Sequence, residues 1–530
     1  MAVPEEIRKV KRPVNTIVDD NGGSGPYRFA VRARAKGSAA GRGPRNGKVI
    51  GHIIDGRFVS LKQRTAAQKD SAPAPLIYGS GALLHSVSSD LLQDLLQFYE
   101  PHDAVKILAL ASLKVLQPGI TLRRCIFLYT RSVLRTFYPC TGMGEAALTN
   151  FVQALGKERQ KLLQFAAKRA GALKDDDQII IGCMPDAFPG AESGHGPKAQ
   201  DLVYACSVLT GEPLCAELIP SGSLNAPSLQ LFMARYNLTS GIFLAARGLT
   251  AGARRELARH CPGVHCLLPL ERTDPRLKPL AQRRFEQGAQ SGESAVFCKK
   301  LQLPSGSFAY SFFDLYRAYR EKTAYLNQQM AAGTFDPDRL KEEDDYFGVS
   351  VFELDADLPP EQVYRCLTVR SECEELLEDF VLDDPALEDL QVQKVWEIFG
   401  AVFLDIIAAV ISQRSSLKAE AAGVLNELSY GELMDDLDLI WRWADAPEPA
   451  RAADGFWVHE FAGLTQILVK LGLCEPAPAE PELVTPRKPG RPRTAKRTEQ
   501  PQKKRGRPRK TPAAEPEVKR PVGRPRKAEA

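Results

Sequence analysis

No apolar run in the 530-residue chain is seen to reach the roughly 18–20 residues that span a bilayer, so no membrane partner is expected. The opening residues 1–13 are charged and lack the apolar core of a signal peptide. Cysteine offers no C-x-x-C pair, and eleven thiols cannot all pair within one chain. They read as reduced, mostly buried thiols of a reducing compartment, and a cytoplasmic setting is the expectation. His260, Cys261, His265 and Cys266 are the tightest group of soft ligands. So short a loop can hardly wrap one ion tetrahedrally, which leaves strand-end packing as the alternative to zinc.

Charge is plentiful but unevenly placed. The net charge of +5 hides a segment 486–530 with 17 Lys/Arg against 4 Glu, and a segment 1–60 with 12 against 5 acids. These two ends carry +13 and +7, so the body between them is at −15. Basic ends on an acidic body imply that DNA is first held by the termini.

The chain is too long for one compact core, and its patterns divide it into six stretches. Residues 1–75 read as a basic β-rich module, with a hairpin 49–60 turning at Asp55-Gly56 and a strand over 27–34. Residues 76–172 are helical, including 103–116 and 122–137, the latter with Arg124, Arg131 and Arg135 near one face. Strands over 178–184, 199–209, 214–219, 241–245 and 264–268, with a helix 251–260, give an α/β core at 173–268. Short alternating runs make 269–355 a β-rich insertion, with a strand at 348–354, and 356–475 is helical again. Residues 476–530, Pro-rich and then basic, have nothing to bury and read as a disordered tail.

That tail contains an internal repeat. Gly-Arg-Pro-Arg occurs at 490–493, 506–509 and 523–526, at intervals of 16 and 17 residues. Proline holds the backbone extended, and glycine lets it lie against a groove floor. The flanking pairs Arg491 and Arg493, Arg507 and Arg509, and Arg524 and Arg526 can then run along the narrow, negative minor groove of A·T-rich double-stranded DNA. The motifs resemble AT-hooks. Three linked weak sites raise avidity, and phosphate contacts make it fall with salt.

The body resembles bacterial insertion-sequence transposases of the DDE type, of the insertion-sequence-4-like superfamily. The resemblance covers residues 10–475. It rests on ordered short matches: Arg12-Pro13-Val14-Asn15-Thr16, Asn46-Gly47-Lys48-Val49-Ile50-Gly51, Lys106-Ile107-Leu108-Ala109-Leu110, Leu122-Arg123-Arg124, and the stretches 204–217 and 359–374. It implies an RNase H-like core, an overall α/β fold with helical units either side, and a nucleoid-associated bacterial protein. It also implies two Mg²⁺ ions, one activating the attacking hydroxyl and one stabilising the leaving oxygen, on carboxylates that neutral residues cannot replace.

Carried over residue by residue, the resemblance finds one metal-binding acid of three. The first should stand at Gly182 and the second at Ala246; the third is Glu374, four residues after Arg370. The family tyrosine falls on Leu367 and the downstream lysine on Val381. Asp186 lies four residues beyond Gly182 as a substitute, whereas 175–177 precede the strand and belong at its far end. Glu374 also reads as one charge of an acidic helix beside Glu372 and Glu375. Three functions are therefore weighed. One is a transposase-family DNA-binding protein, for example on element ends, with catalysis lost. The second is an active Mg²⁺-dependent enzyme with relocated acids, and the third is an architectural protein whose body forms a homodimer.

Overall fold

The computed structural model describes residues 3–20, 28–34, 46–54, 56–60, 74–174, 176–188, 199–244, 251–270, 274–281, 285, 287–291, 294–383, 395–452, 454–458 and 463–476. The chain divides into two units, Met1–Ala477 and Pro478–Ala530, and the whole second unit, with its three repeats, lies outside the described residues.

The first strands, β1 (Thr16–Asp20), β2 (Phe29–Arg34), β3 (Asn46–Ile54) and β4 (Arg57–Ser60), make an antiparallel meander in chain order. The β3–β4 hairpin turns through Gly56 at φ 71°, as its sequence requires. Arg28 and Arg32 are ion-paired to Asp20 and Asp19 across the β1–β2 ladder, both at 2.8 Å. These two cations serve the sheet itself.

Strand β5 (Pro75–Ile77) precedes helix α1 (Pro101–Leu116), which starts on proline and stops where Gln117 turns extended. The expected single helix 122–137 is broken in two, Leu122–Arg131 and Leu134–Phe137. Ser132 goes extended and bridges Ile77, and the Val133 N–H donates to the Ile77 carbonyl. A tertiary hydrogen bond here overrides local helix propensity. Helices α2 (Glu145–Lys157) and α3 (Arg159–Gly171) complete this part.

The centre is a mixed sheet built from β6 (Ile179–Phe188), β7 (Gln200–Ser207), β8 (Pro213–Pro220), β9 (Gly241–Leu244) and β10 (Val264–Pro269), with β11 (Gln287–Ser291), β12 (Ser294–Gln302), β13 (Phe308–Asp314) and β14 (Val349–Leu354). Its order is β11-β12-β13-β14-β10-β9-β6-β7-β8. Strands β6, β9 and β10 run parallel, while β7 runs against both β6 and β8. Two crossover helices, α4 (Ala226–Tyr236) between β8 and β9 and α5 (Ala251–His260) between β9 and β10, make the parallel connections. The strands of 287–354 continue this same sheet, with β14 pairing antiparallel on β10. Between β13 and β14 the chain leaves it as helices α6 (Leu315–Ala331) and α7 (Pro337–Asp344).

Alternation along the strands sends one set of side chains to each face. Ile181, Val203, Ala205 and Phe243 form a core with α4 and α5. Ile180, Leu202, Tyr204 and Ile242 form the larger core with α1, α2, α8 (Pro360–Leu377) and α9 (Val395–Ala421). By length and composition the stretch Trp396–Ala421 is apolar enough to cross a membrane, which corrects the reading that no run is long enough. Its most apolar window is 72% buried against the rest of the protein, as in a core helix. Inside it Asp405, fully buried, is ion-paired at 2.7 Å to Lys114 of α1. Within the stretch 356–475, expected to be helical, residues 430–443 form helix α10 (Tyr430–Asp438) and then strand β15 (Trp441–Trp443), which pairs with β5 and with β16 (Trp457–Val458).

Candidate functional site

Gly182 sits in β6 on the face that looks toward α8, directly opposite Tyr204 of β7 in the antiparallel register. A Cβ built on Gly182 would lie 2.2 Å from Cζ and from the hydroxyl of Tyr204. The tyrosine ring therefore occupies the space that a side chain at 182 would need. Glycine inside a strand commonly marks such a close approach.

Helix α8 presents Val363, Cys366, Val369, Cys373 and Leu377 to the core, and this spacing turns Arg370 and Glu374 toward the same end of β6. The Tyr204 phenol donates to Glu374 Oε1 at 2.9 Å, and Arg370 Nε donates to the same oxygen at 3.0 Å. Tyr204 is fully buried, whereas Glu374 and Arg370 are part-exposed. Burial, and then the Glu374 charge, hold the tyrosine well above its usual range, so it remains a neutral donor. Burial works against the Arg370 cation, but the Glu374 carboxylate outweighs it and holds the guanidinium above its ordinary value. Below this cluster the Cys206 thiol is raised by a hydrogen bond with Cys373 and by burial. Burial, with the charges of Asp201 and Glu374, pushes Cys183 to about 12.

The sequence-expected residues thus separate into three groups. Gly182, Arg370 and Glu374 come together, with Tyr204 added between them. Ala246 lies outside the described residues, as do Arg491, Arg493, Arg507, Arg509, Arg524 and Arg526. Asp186 is not turned toward Glu374 as a substitute ligand: at φ 49° its carboxylate accepts from Ser221 at 2.7 Å. Its own N–H donates to the buried Asp201, which also accepts from the Gly222 N–H. At the other end of the strand, Asp177 accepts from Ser207 and from the Leu209 N–H, holding the β7–β8 turn. The ring nitrogens of His260 and His265 lie against Gln230 and Asp355, while Cys261 and Cys266 are buried. No group of three or more His, Cys, Asp or Glu able to hold a metal occurs among the described residues.

A Mg²⁺ pair does not fit the residues that are present. An ion on Glu374 Oε1 must displace both a guanidinium and a phenol, and an acid at 182 must expel a buried ring. Two Mg²⁺ ions held as a pair need more than one protein carboxylate between them. This arrangement offers one, already neutralised. Tyr204 is the residue of this cluster that sequence reasoning did not single out. Its signal was present, since pairing 178–184 against 199–209 brings a bulky ring opposite a glycine.

A cleft lies between α3, β8 and α9 and contains none of these residues. Its polar wall is Glu217, clamped by Arg159 at 2.8 Å and by Arg235.

No protein-family model and no curated protein matches the chain. Among solved structures, the cryo-EM structure of a piggyBac transposase synaptic complex with hairpin DNA matches with a TM-score of 0.31 at 6% identity. The match covers 70% of this chain and 82% of that one. So slight a likeness carries no argument, and the functional reading rests on this chain's own residues.

Proposed function

We propose that this chain is a DNA-binding protein with a transposase-like, RNase H-like body that holds DNA without cutting it. The order β8-β7-β6-β9-β10, with β7 reversed and crossover helices into β9 and β10, supports the RNase H-like reading. The three Gly-Arg-Pro-Arg repeats support binding to A·T-rich double-stranded DNA.

The observation that carries the absence of cutting is the Tyr204 ring. It fills the space of the first carboxylate and spends the one remaining acid, Glu374, on a hydrogen bond. A closed position 182 supports a site without the paired anionic ligands that two-metal phosphoryl transfer uses. What remains is electrostatic and minor-groove attachment through the basic tail.

Fluorescence anisotropy on the full chain tests the binding half. A variant with Ala at Arg491, Arg493, Arg507, Arg509, Arg524 and Arg526 should bind a continuous A·T duplex at least about tenfold more weakly, with a shallower dependence on salt. Its preference over a G·C duplex should also be lost. Equal affinity of the variant and the wild type for the A·T duplex would remove the tail from the account.

A further inference from the structure

Helix α6 runs for 17 residues and buries none of them, and α7 also buries none. Its inner face, with Ala318, Lys322, Tyr325, Leu326 and Gln329, is only half-buried, so packing supports it less than it supports a core helix. The hairpin is tied to the body by few contacts. The rings of Tyr325 and Phe347 meet at 5.6 Å and the Gly348 N–H donates to Glu321 at 2.8 Å, while the Lys322–Asp344 pair at 2.6 Å lies within the hairpin and joins α6 to α7.

The outer stripe of α6 is Tyr316, Tyr319, Arg320, Thr323, Asn327 and Met330, at the spacing of one helix face. Tyr316, Tyr319 and Met330 are 63%, 70% and 65% exposed, and the Arg320 guanidinium lies over the Tyr316 ring. Large exposed aromatics and methionine beside arginine are the composition of an interface core rather than of open surface.

Charge indicates which partner covers it. Helix α6 carries three cations against one acid, of which Arg317 pairs with Glu321 and Lys322 with Asp344, which leaves Arg320 on the outer stripe; α7 carries four acids against two cations. On α7, Asp338, Glu342 and its capping Asp345 are exposed and spaced along one face, and Glu342 and Asp345 make no ion pair among the described residues. That acidic stripe beside α6 opposes a phosphate backbone. A second copy of the same hairpin, turned about a twofold axis, instead brings each basic α6 against the partner's acidic α7, as an isologous contact requires.

We propose that the α6–α7 hairpin is the homodimerisation surface of this protein, with Tyr316, Tyr319 and Met330 at its centre. The inference is independent of whether the body cuts DNA. Sedimentation equilibrium of the full chain, freed of nucleic acid at high salt, should give twice the 58.3 kDa chain mass. The double variant Tyr316→Asp/Tyr319→Asp should weaken the dimer by about tenfold or more in Kd, with an unchanged circular dichroism spectrum. Chains carrying Arg320→Glu and Glu342→Lys/Asp345→Lys should each dissociate alone and pair when mixed. A monomeric wild type overturns the proposal, as does a dimer indifferent to the tyrosine variant. A monomer whose DNA affinity falls with Tyr316→Asp/Tyr319→Asp would overturn it in favour of a DNA contact.

Discussion

The same sheet supports two regions of opposite character. Where α8 crosses the end of β6, side chains fill all the space: Tyr204 lies on Gly182, and Glu374 and Arg370 close over the phenol. Where α6 and α7 leave β13, no residue of either helix is buried, and aromatic rings face outward. A site meant to bind ions and substrate needs open ligands, and a surface meant to stay in water has no use for exposed tyrosine pairs. The first region has the packing of a core where the sequence resemblance puts a catalytic centre. The second has the composition of an interface in the place of a loop.

The contrast breaks most easily at Gly182. Gly182→Asp forces the Tyr204 ring or the strand to move and sets a carboxylate near Glu374. Overpacking costs about 1–3 kcal/mol and an uncompensated polar group about as much again, so urea midpoints should fall by the equivalent of roughly 3 kcal/mol or more. A variant as stable as the wild type would show that Tyr204 vacates the site readily.

Tyr204→Phe keeps the ring and removes one hydrogen bond to a charged oxygen, so a loss of about 1.5–3 kcal/mol is expected by denaturant unfolding. The same variant sharpens the account through pH. The tyrosine is raised in the folded state above its unfolded value of about 10, so its contribution is complete below that pH and is lost as pH rises above it. Other buried tyrosines such as Tyr236 are also raised, so the wild type and the variant should both weaken in alkali, the variant less steeply. Parallel alkaline profiles would remove Tyr204 titration from the account.

The smallest effect belongs to the exposed region. At concentrations low enough to keep chains apart, Tyr316→Ser should change unfolding free energy by less than about 0.5 kcal/mol. A larger loss, measured by dilute thermal unfolding, would mean that the ring packs within its own chain.

Much of this was legible in the sequence where the determinants are local. The β3–β4 hairpin comes from its glycine turn, the β7–β8 pair from Gly211 at φ 70°, and the parallel β9–α5–β10 unit from its alternating pattern. Local pattern failed at 122–137, because the break depends on the Ile77 carbonyl far back in the chain. At 395–421 the helix itself was expected, and only its apolar length was underestimated, because Glu397 and Asp405 interrupt the run. The candidate site was half legible. Gly182, Arg370 and Glu374 were singled out by resemblance, but the tyrosine that joins them stands 170 residues from Glu374. Asp186, equally plausible by spacing, is committed to Ser221 by a left-handed backbone that spacing does not reveal.

The most direct measurement is a cleavage and strand-transfer assay of the full chain with Mg²⁺ or Mn²⁺, on supercoiled plasmid carrying the DNA that flanks its own coding sequence. DNA bound but left intact, equally by wild type and by Glu374→Ala, is the expected result. Metal-dependent nicking or transfer that disappears in Glu374→Ala would contradict the account, because Tyr204 would then have to leave an acid that the structure shows it holding.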